Sequence, residues 1–562
     1  WQLQYGTLRD ELDRRRLERA AAKQGDAAQA QALVEFVYAG HSDWDTPNYS
    51  REARCAQAAC TDAAQVLTQS FPQLLRFAGA PGADAAEPAK PGSNNWAVAG
   101  HHTRSGVALI ANDMHLDPGV PAVWYPARLK VTDGPAKLDI TGVTLPGTPA
   151  IAAGSNGYVA WGFTNSYGDF ADARWGRCVD AAHTVRHQRI RIKGRNDVEV
   201  TYRDAGPAIV LDGEDHAADV SSGTCLQAAW LATRPEATNF SLIELENART
   251  VDEALALAPR VGIPGQNMVV GDAGGRIAWT LLGRVPRNTG ADRLFGELEY
   301  RDASDHPAIP DPPVGRLWTA NQRVVAGPLE AVLGDDEVNI GAGGYDVGAR
   351  ARQIRDGLLG LRHPATEADM LALQLDSRAL FLARWRNVLL ELLDAEAVSD
   401  APRRREFRAL VSDWKAEAAP EAVGYRLVRA FRANTLNALW RSLSTGLLGE
   451  EFAGRRPGLL EAGGYRLVNE RPASVTPPGG GDWRAFLLAR VDATIAESLE
   501  ACESLERWSY GELNAVRVRH PLSRALPPLA RLLDMPTRQL PGDHHMPRVQ
   551  DSTFGASERF AL

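Results

Sequence analysis

The chain has 562 residues, 44% of them hydrophobic and 23% charged, an ordinary globular composition long enough for a large core and too long for one small domain. The net charge is −8, arginine far outnumbers lysine and no basic tract stands out, so nucleic acid is excluded as an expected partner. No apolar run reaches the roughly 18 residues that a bilayer span needs, so no transmembrane helix is expected.

Residues 1–37 read as helical. They start abruptly at Trp1, without Met or a signal peptide, so the true N-terminus and any targeting signal are expected to lie upstream. Residues 61–77 carry Leu67, Phe71, Leu74 and Leu75 at helical spacing. Residues 79–92, rich in Gly, Ala and Pro, are a linker by composition. Short β-type runs dominate from about 94 to 300, among them Val107–Ala111, Val123–Val131, Leu138–Val143 and Tyr158–Thr164, separated by Gly, Pro, Asn and Asp turns. From 348 to 506 the pattern turns helical, with apolar residues every three or four positions along Met370–Leu393 and Tyr425–Leu443. The tail is polar and Pro-rich to Ser552, and Gly555–Leu562 reads like a strand cut short. Strands, then helices, then a short β-like end predict α+β layering.

Five cysteines bear on compartment. Cys55 and Cys60 are close enough to bridge a short loop. Cys178 and Cys225 flank a strand-rich stretch and could pair, leaving Cys502. Two disulfides in an exported protein and buried free thiols both fit; the spacings match neither zinc nor redox motifs.

The most informative stretch is Gly92-Ser93-Asn94-Asn95-Trp96, where the linker meets a strand-like run. A cut between Gly92 and Ser93 would leave a serine with its own free amine. An α-amine has a pKa of about 8, near working pH, so nucleophile and base would sit on one residue. Further on come Ala111-Asn112-Asp113-Met114-His115-Leu116, Val123-Trp124-Tyr125 and Thr144-Leu145-Pro146-Gly147-Thr148-Pro149. These are followed by Gly154-Ser155-Asn156-Gly157-Tyr158-Val159-Ala160-Trp161-Gly162-Phe163-Thr164-Asn165, then Asp169 and Asp172. Asn267-Met268-Val269-Val270-Gly271-Asp272 precedes Gly274-Gly275-Arg276-Ile277-Ala278-Trp279. In this order and spacing the segments resemble the β chain of the penicillin acylase family, the N-terminal nucleophile amidohydrolases, over residues 93–562. Trp318-Thr319-Ala320-Asn321-Gln322-Arg323, Gln374-Leu375-Asp376-Ser377-Arg378 and Trp508-Ser509-Tyr510-Gly511-Glu512-Leu513 support the resemblance.

The resemblance implies a four-layer αββα sandwich with an additional helical region. It implies residues 1–78 as a helical remnant of the α chain, 79–92 as a spacer ending at the processing site, and 93–562 as the β chain. Within the β chain, 93–300 would be strand-rich, 348–506 helical, and 507–562 an incomplete set of C-terminal strands. Ser93 would be the nucleophile, exposed by autocatalytic cleavage after Gly92, and the product an α/β heterodimer made from one precursor. Oxyanion donors would be the Asn267 side chain and the Asn165 backbone N–H. The related enzymes usually carry a small or β-branched residue at the Asn165 position, so the asparagine itself could alter the pocket. His115 would orient the amine and the leaving group; this position is His in cephalosporin, aculeacin and lactone acylases and Gln in penicillin G acylases. Arg287, with Arg284 as the alternative, would steady the oxyanion asparagine.

Leu116, Val123, Trp124, Pro149 and Ile151 fall near positions that line family pockets, although such residues are commonly plain core. Asp169 and Asp172 match aspartates that hold a structural calcium, oxygen ligands suited to a hard cation; no catalytic cofactor is implied. The implied reaction is removal of an acyl chain from an N-acylated small molecule through a Ser acyl-enzyme. The substrate would be an N-acyl-homoserine lactone, a lipopeptide or a β-lactam, and the location periplasmic or secreted. The alternative is an unprocessed or inactive relative that binds acylated ligands without hydrolysis.

Other chemistries find little support. No Gly-x-Ser-x-Gly elbow occurs, and Ser412-Asp413-Trp414-Lys415 lacks partner motifs. No His-Glu-x-x-His is present, His101-His102 and His544-His545 lack ligand spacing, and Gly341-Ala342-Gly343-Gly344 lacks the third glycine of a phosphate loop.

Overall fold

The computed structural model describes residues 5–23, 27–38, 42–48, 92–133, 137–179, 183–211, 223–288, 292–326, 345–447, 456–458 and 460–562. The helix expected over 61–77, the linker up to residue 91, Cys55, Cys60 and the glycines of 341–344 lie outside these residues. Helices Tyr5–Ala22 and Ala27–Val37 fall within the N-terminal helical stretch.

The strands run in chain order β1 (Gly92–Val98), β2 (Leu109–Leu116), β3 (Tyr125–Val131), β4 (Leu138–Thr144), β5 (Ala153–Ser155), β6 (Val159–Asn165), β7 (Ala171–Arg177) and β8 (Thr184–Ile190). They continue as β9 (Val198–Asp204), β10 (Ile209–Leu211), β11 (Thr224–Trp230), β12 (Gln266–Asp272), β13 (Ile277–Leu282), β14 (Ala308–Pro310) and β15 (Arg316–Thr319). Short pieces close the chain: β16 (Ala515–Val516), β17 (Arg538–Gln539), β18 (Gly555–Ala556) and β19 (Phe560–Ala561). Among the described residues one sheet has the order β15-β1-β2-β18 with β19 also on β2, and a second has the order β14-β13-β12-β6-β5-β4-β3.

Period-two alternation decides what each face of these sheets buries. Ala97, Ile110, Val269, Trp279, Leu281 and Leu317 pack between the two sheets. The alternate residues of β1, Trp96 and Val98, turn outward onto Ala351, Ile354, Leu358 and Met370 of helices Ala349–Gly360 and Glu367–Gln374. On the far side Trp161, Met268, Val270 and Ala278 meet Val251 and Ala254 of helix Val251–Leu257. Helix, sheet, sheet, helix is the four-layer αββα sandwich, each layer closed by side chains worth about 1.5–3 kcal/mol apiece on full burial.

The additional helical region gathers around helix Val423–Leu447, with Trp385, Tyr425 and Phe431 fully buried. Its one fully buried acid among the described residues of that core, Glu461, accepts from Arg432, Arg384 and the Trp385 indole at 2.7–2.8 Å, which offsets its desolvation.

One expectation changes. The helical run Met370–Leu393 is two helices, Glu367–Gln374 and Ala383–Leu392. It breaks because Asp376 Oδ1 accepts from Arg378 N–H and the Ser377 hydroxyl reaches Glu417, so local side-chain bonds outcompete the helix. The C-terminal run forms two short strands on β2. Gly555 and Ala556 pair with Leu116 and His115, Phe560 and Ala561 pair with Asn112 and Ala111, and Leu562 exchanges both backbone bonds with Ile110. The extra residue between β18 and β19 is a bulge, which lets Glu558 turn in towards β2.

A third sheet, β7-β11-β10-β9-β8, extends β7 away from the sandwich. Cys178 and Cys225 are joined across it, and Cys502 is a free thiol near Glu512.

Candidate active site

β1 is an interior strand of its sheet, held on one side by β2 and on the other by β15. The pairing Ser93↔Met114 with Gly92↔His115 and Asn94↔Asp113 assigns the faces. Ser93 and Met114 look towards the second sheet. Asn94, Asp113 and His115 look towards the helices.

The serine is gripped from the end of β15. Asn321 adopts φ 67°, a left-handed conformation that asparagine tolerates better than most side chains, and its Oδ1 accepts the Ser93 N–H at 2.7 Å. Arg350, in the first turn of its helix and 4% exposed, spans the site. It donates to Ser93 O at 2.9 Å, Asn94 Oδ1 at 2.9 Å, Asn321 Oδ1 at 3.0 Å and Asp346 at 3.2 Å. Such buried charge-assisted bonds hold geometry strongly. The Ser93 hydroxyl donates to Gly92 O at 2.5 Å, so its oxygen and the preceding carbonyl are in contact. Gly92 is required by space: a Cβ there would lie 2.8 Å from Asn321 Oδ1 and 3.4 Å from Arg350 Nη2.

The other expected residues divide. Asn165 ends β6 beside this clamp, its carbonyl accepting from Asn321 Nδ2 at 3.0 Å. Its side chain folds back to accept the Tyr167 N–H at 3.1 Å, an Asx turn with Tyr167 at φ 50°. The asparagine side chain is therefore held in a turn.

Asn267 differs from its expected role. Its amide donates to Thr164 Oγ1 at 3.1 Å and Asn165 O at 3.4 Å, and its carbonyl accepts from Trp279 at 3.1 Å. It is a satisfied bridge between β6, β12 and β13, with no N–H left for an oxyanion. Arg287 also differs: it is bound to Asp302, Asp305 and Tyr300 O, and steadies a surface turn. Arg284 lies over the Tyr300 ring instead.

His115 is fully buried on the helix side of β1, away from the Ser93 side-chain face. Its Nε2 lies 3.2 Å from Asp113 Oδ2 and 3.4 Å from Asn94 Nδ2. Burial lowers its pKa against the opposing pull of Asp113, so the ring is neutral at neutral pH. It orders Asn94, which also donates to Pro547 O at 2.8 Å.

Of the pocket candidates, Trp124 and Ile151 are buried with Met114 in one apolar cluster against which Leu116 packs. The Trp124 indole donates to Ser557, whose hydroxyl donates to Met114 O. Val123 and Pro149 are exposed, on the loops outside that cluster.

Asp169 and Asp172, the expected calcium ligands, are buried beside Arg293. Among the described residues no group of three or more His, Cys, Asp or Glu converges as a metal site. The buried Arg293 lies against Asp169, its Nε 3.2 Å from Oδ2 and its Nη2 on the Asp169 carbonyl. Asp172 accepts the Leu294 N–H at 2.7 Å. Burial pushes both carboxyls up, and Asp169 adds to the effect at Asp172. The Arg293 guanidinium is thus the cation beside Asp169.

Sequence reasoning therefore missed Asn321 and Arg350. The first was in view, inside Trp318–Arg323. The second sits in a helix with no local motif, and only the chain crossing β1 reveals it.

This arrangement, a serine at the head of a central strand in an αββα sandwich, is the N-terminal nucleophile hydrolase architecture. The family model for penicillin amidase matches residues 1–562, and the chain belongs to that family. It is 27% identical over 525 residues to penicillin acylase 2 proenzyme of Pseudomonas sp. strain SE83, covering 86% of this chain and 63% of that protein. Over 355 residues it is 26% identical to the acyl-homoserine lactone acylase QuiP of Pseudomonas aeruginosa, covering 56% and 40% respectively. The chain thus spans less than two thirds of the length of these relatives. A thermostable penicillin G acylase from Alcaligenes faecalis shares the fold with a TM-score of 0.55 and 16% identity, over 74% of this chain and 80% of that one.

Proposed function

We propose that the chain is the precursor of an amide hydrolase that removes an acyl group from an N-acylated small molecule, with Ser93 as nucleophile. The observation that carries this is the clamp on Ser93: its hydroxyl against the Gly92 carbonyl, its N–H on Asn321, its own carbonyl on Arg350.

Maturation follows from that geometry. Ser93 Oγ adds to the Gly92 carbonyl carbon, the Gly92–Ser93 C–N bond breaks, and the proton from Oγ passes to the departing nitrogen. The resulting ester is hydrolysed by water, leaving a Gly92 carboxylate and a Ser93 amine, and the two pieces stay together as an α/β heterodimer. In turnover the free amine takes the Oγ proton as the hydroxyl attacks the amide carbonyl, and delivers it to the leaving amine. Water then cleaves the acyl-enzyme.

Asn321 takes the role assigned from sequence to Asn267, holding the amine through Oδ1, with its amide N–H and the Asn165 backbone N–H supplying the oxyanion donors. Arg350 fixes Asn321, and its cation beside the amine favours the neutral, basic form. His115 acts as a positioning residue through Asn94. No calcium is assigned, because Arg293 supplies the opposing charge to Asp169.

Met114, Trp124 and Ile151 favour an apolar acyl group, in keeping with N-acyl-homoserine lactones or lipopeptides; β-lactams are the other class suggested by the relatives. The Cys178–Cys225 bond suits an oxidising compartment, periplasmic or extracellular, and among the described residues no helix is long and apolar enough to cross a membrane.

Intact mass and N-terminal sequencing of the purified chain beside Ser93→Ala test the proposal. The expected result is a fragment beginning Ser-Asn-Asn-Trp in the parent alone, with release of free amine from acyl-homoserine lactones. A single uncut chain in both preparations overturns it.

A further inference from the structure

The ribbon formed by β8 and β9 takes no part in the site. Every residue from Thr184 to Thr201 is exposed, on both faces of the ribbon. A two-stranded ribbon with water on both sides is marginal on its own, and this one exposes Val185 (53%), Ile190 (51%), Ile192 (37%), Val198 (46%) and Val200 (39%). The register Ile190↔Val198 with Gln188↔Val200 places Ile190, Val198 and Val200 on one face. Ile192 continues into the turn, which Gly194 reverses at φ 77°.

The same ribbon is basic. Residues 184–204 hold six Arg or Lys (Arg186, Arg189, Arg191, Lys193, Arg195, Arg203) against Asp197, Glu199 and Asp204, in a chain whose net charge is −8. The carboxylates are engaged along the strands, Asp204 by Arg186 at 3.1 Å and Glu199 by Arg189 at 3.2 Å, with Asp197 at 4.0 Å from Arg189. Arg191, Lys193 and Arg195, at the tip, form no ion pair with a described residue.

We infer that the tip of this ribbon docks on an anionic lipid bilayer. Ile190 and Ile192 seat at the acyl boundary while Arg191, Lys193 and Arg195 reach the phosphates. Isoleucines interleaved with long cationic side chains meet the demands of the interface, where the stems pack on apolar chains and the charged heads stay in the headgroup layer. Pairing of the β8 edge with another strand is disfavoured by its arginines, the usual guard of an exposed edge. The inference is independent of the catalytic reading.

The test is co-sedimentation of the full chain with vesicles of phosphatidylglycerol and phosphatidylethanolamine, beside vesicles of phosphatidylcholine alone. Binding to the anionic vesicles only, weakened by salt, is expected. Arg191→Glu with Lys193→Glu and Arg195→Glu should weaken it at least about tenfold. Ile190→Ser with Ile192→Ser should weaken it at unchanged charge, the circular dichroism melt of each variant matching the parent. Absence of binding to anionic vesicles, or binding indifferent to both variants, overturns the inference. Self-association or capture of an acidic protein that depends on the tip, without vesicle binding, also overturns it and assigns the surface to that partner.

Discussion

At the residue scale the site depends on positions too tight for any other side chain. Gly92 has room for hydrogen only, because a Cβ would press on Asn321 Oδ1 at 2.8 Å. Gly92→Val should therefore displace the amide that holds the Ser93 N–H. Cleavage is expected to slow at least about tenfold, about 1.4 kcal/mol of barrier, followed as the appearance of the Ser93-terminated fragment by mass spectrometry. Unchanged processing would show that the clamp does not govern the step. Arg293 makes a second residue-scale case. Removing one partner from a buried ion pair costs about 3–5 kcal/mol, so Arg293→Met should lower the melting temperature clearly, whereas chelator should leave that of the parent unchanged. A chelator-sensitive parent would restore calcium to Asp169 and Asp172.

At the scale of elements, the C-terminal pieces β18 and β19 pair with β2, the neighbour of the Ser93 strand. The bulge between them delivers Glu558, whose Oε1 accepts the Met114 N–H at 2.8 Å. Burial, and then the nearby Asp113, push the Glu558 carboxyl up to about 8 from the ordinary 4.5. Between those values the folded chain keeps a proton that the unfolded chain has lost, so stability falls as pH rises through the window and the penalty is complete above about 8. Glu558→Gln removes the titration. It should match the parent near pH 4 and gain on it at up to about 1.4 kcal/mol per pH unit towards pH 8, read from urea midpoints across that range. A parallel pH dependence in both proteins would place the Glu558 carboxyl in water.

On the scale of the whole molecule, the sandwich, the helical region and the β7–β11 sheet are linked mainly by packing, and one covalent tie fixes the third. The Cys178–Cys225 bond closes a separation of 47 residues, which in the loop-entropy description stabilises by about 2–4 kcal/mol. Cys225→Ser should lower the urea midpoint accordingly, while leaving cleavage at Ser93 intact, since the clamp lies on β1, β15 and the helix of Arg350. Loss of cleavage in that variant would couple the third sheet to the site.

Much of this was legible in one dimension because the determinants are local. The alternation along Asn94–Val98, Leu109–His115 and Gln266–Leu282 specifies strands buried on both faces, the turn residues divide them, and the order of motifs identifies the family. Trp124 and Ile151, named through the family resemblance, are buried in one apolar cluster. What the chain order could not carry is contact between distant segments. Asn321 and Arg350 lie more than two hundred residues beyond Ser93, and only the β1–β15 pairing and the docking of helix Ala349–Gly360 bring them to it. Asn267, expected as an oxyanion donor, bonds to Thr164, Asn165 and Trp279 in the fold, and Asp169, expected at a calcium, lies beside Arg293. Local pattern determined the strands and singled out Ser93, whereas tertiary packing decided which polar groups surround it, because a hydrogen bond is satisfied in space and not along the chain.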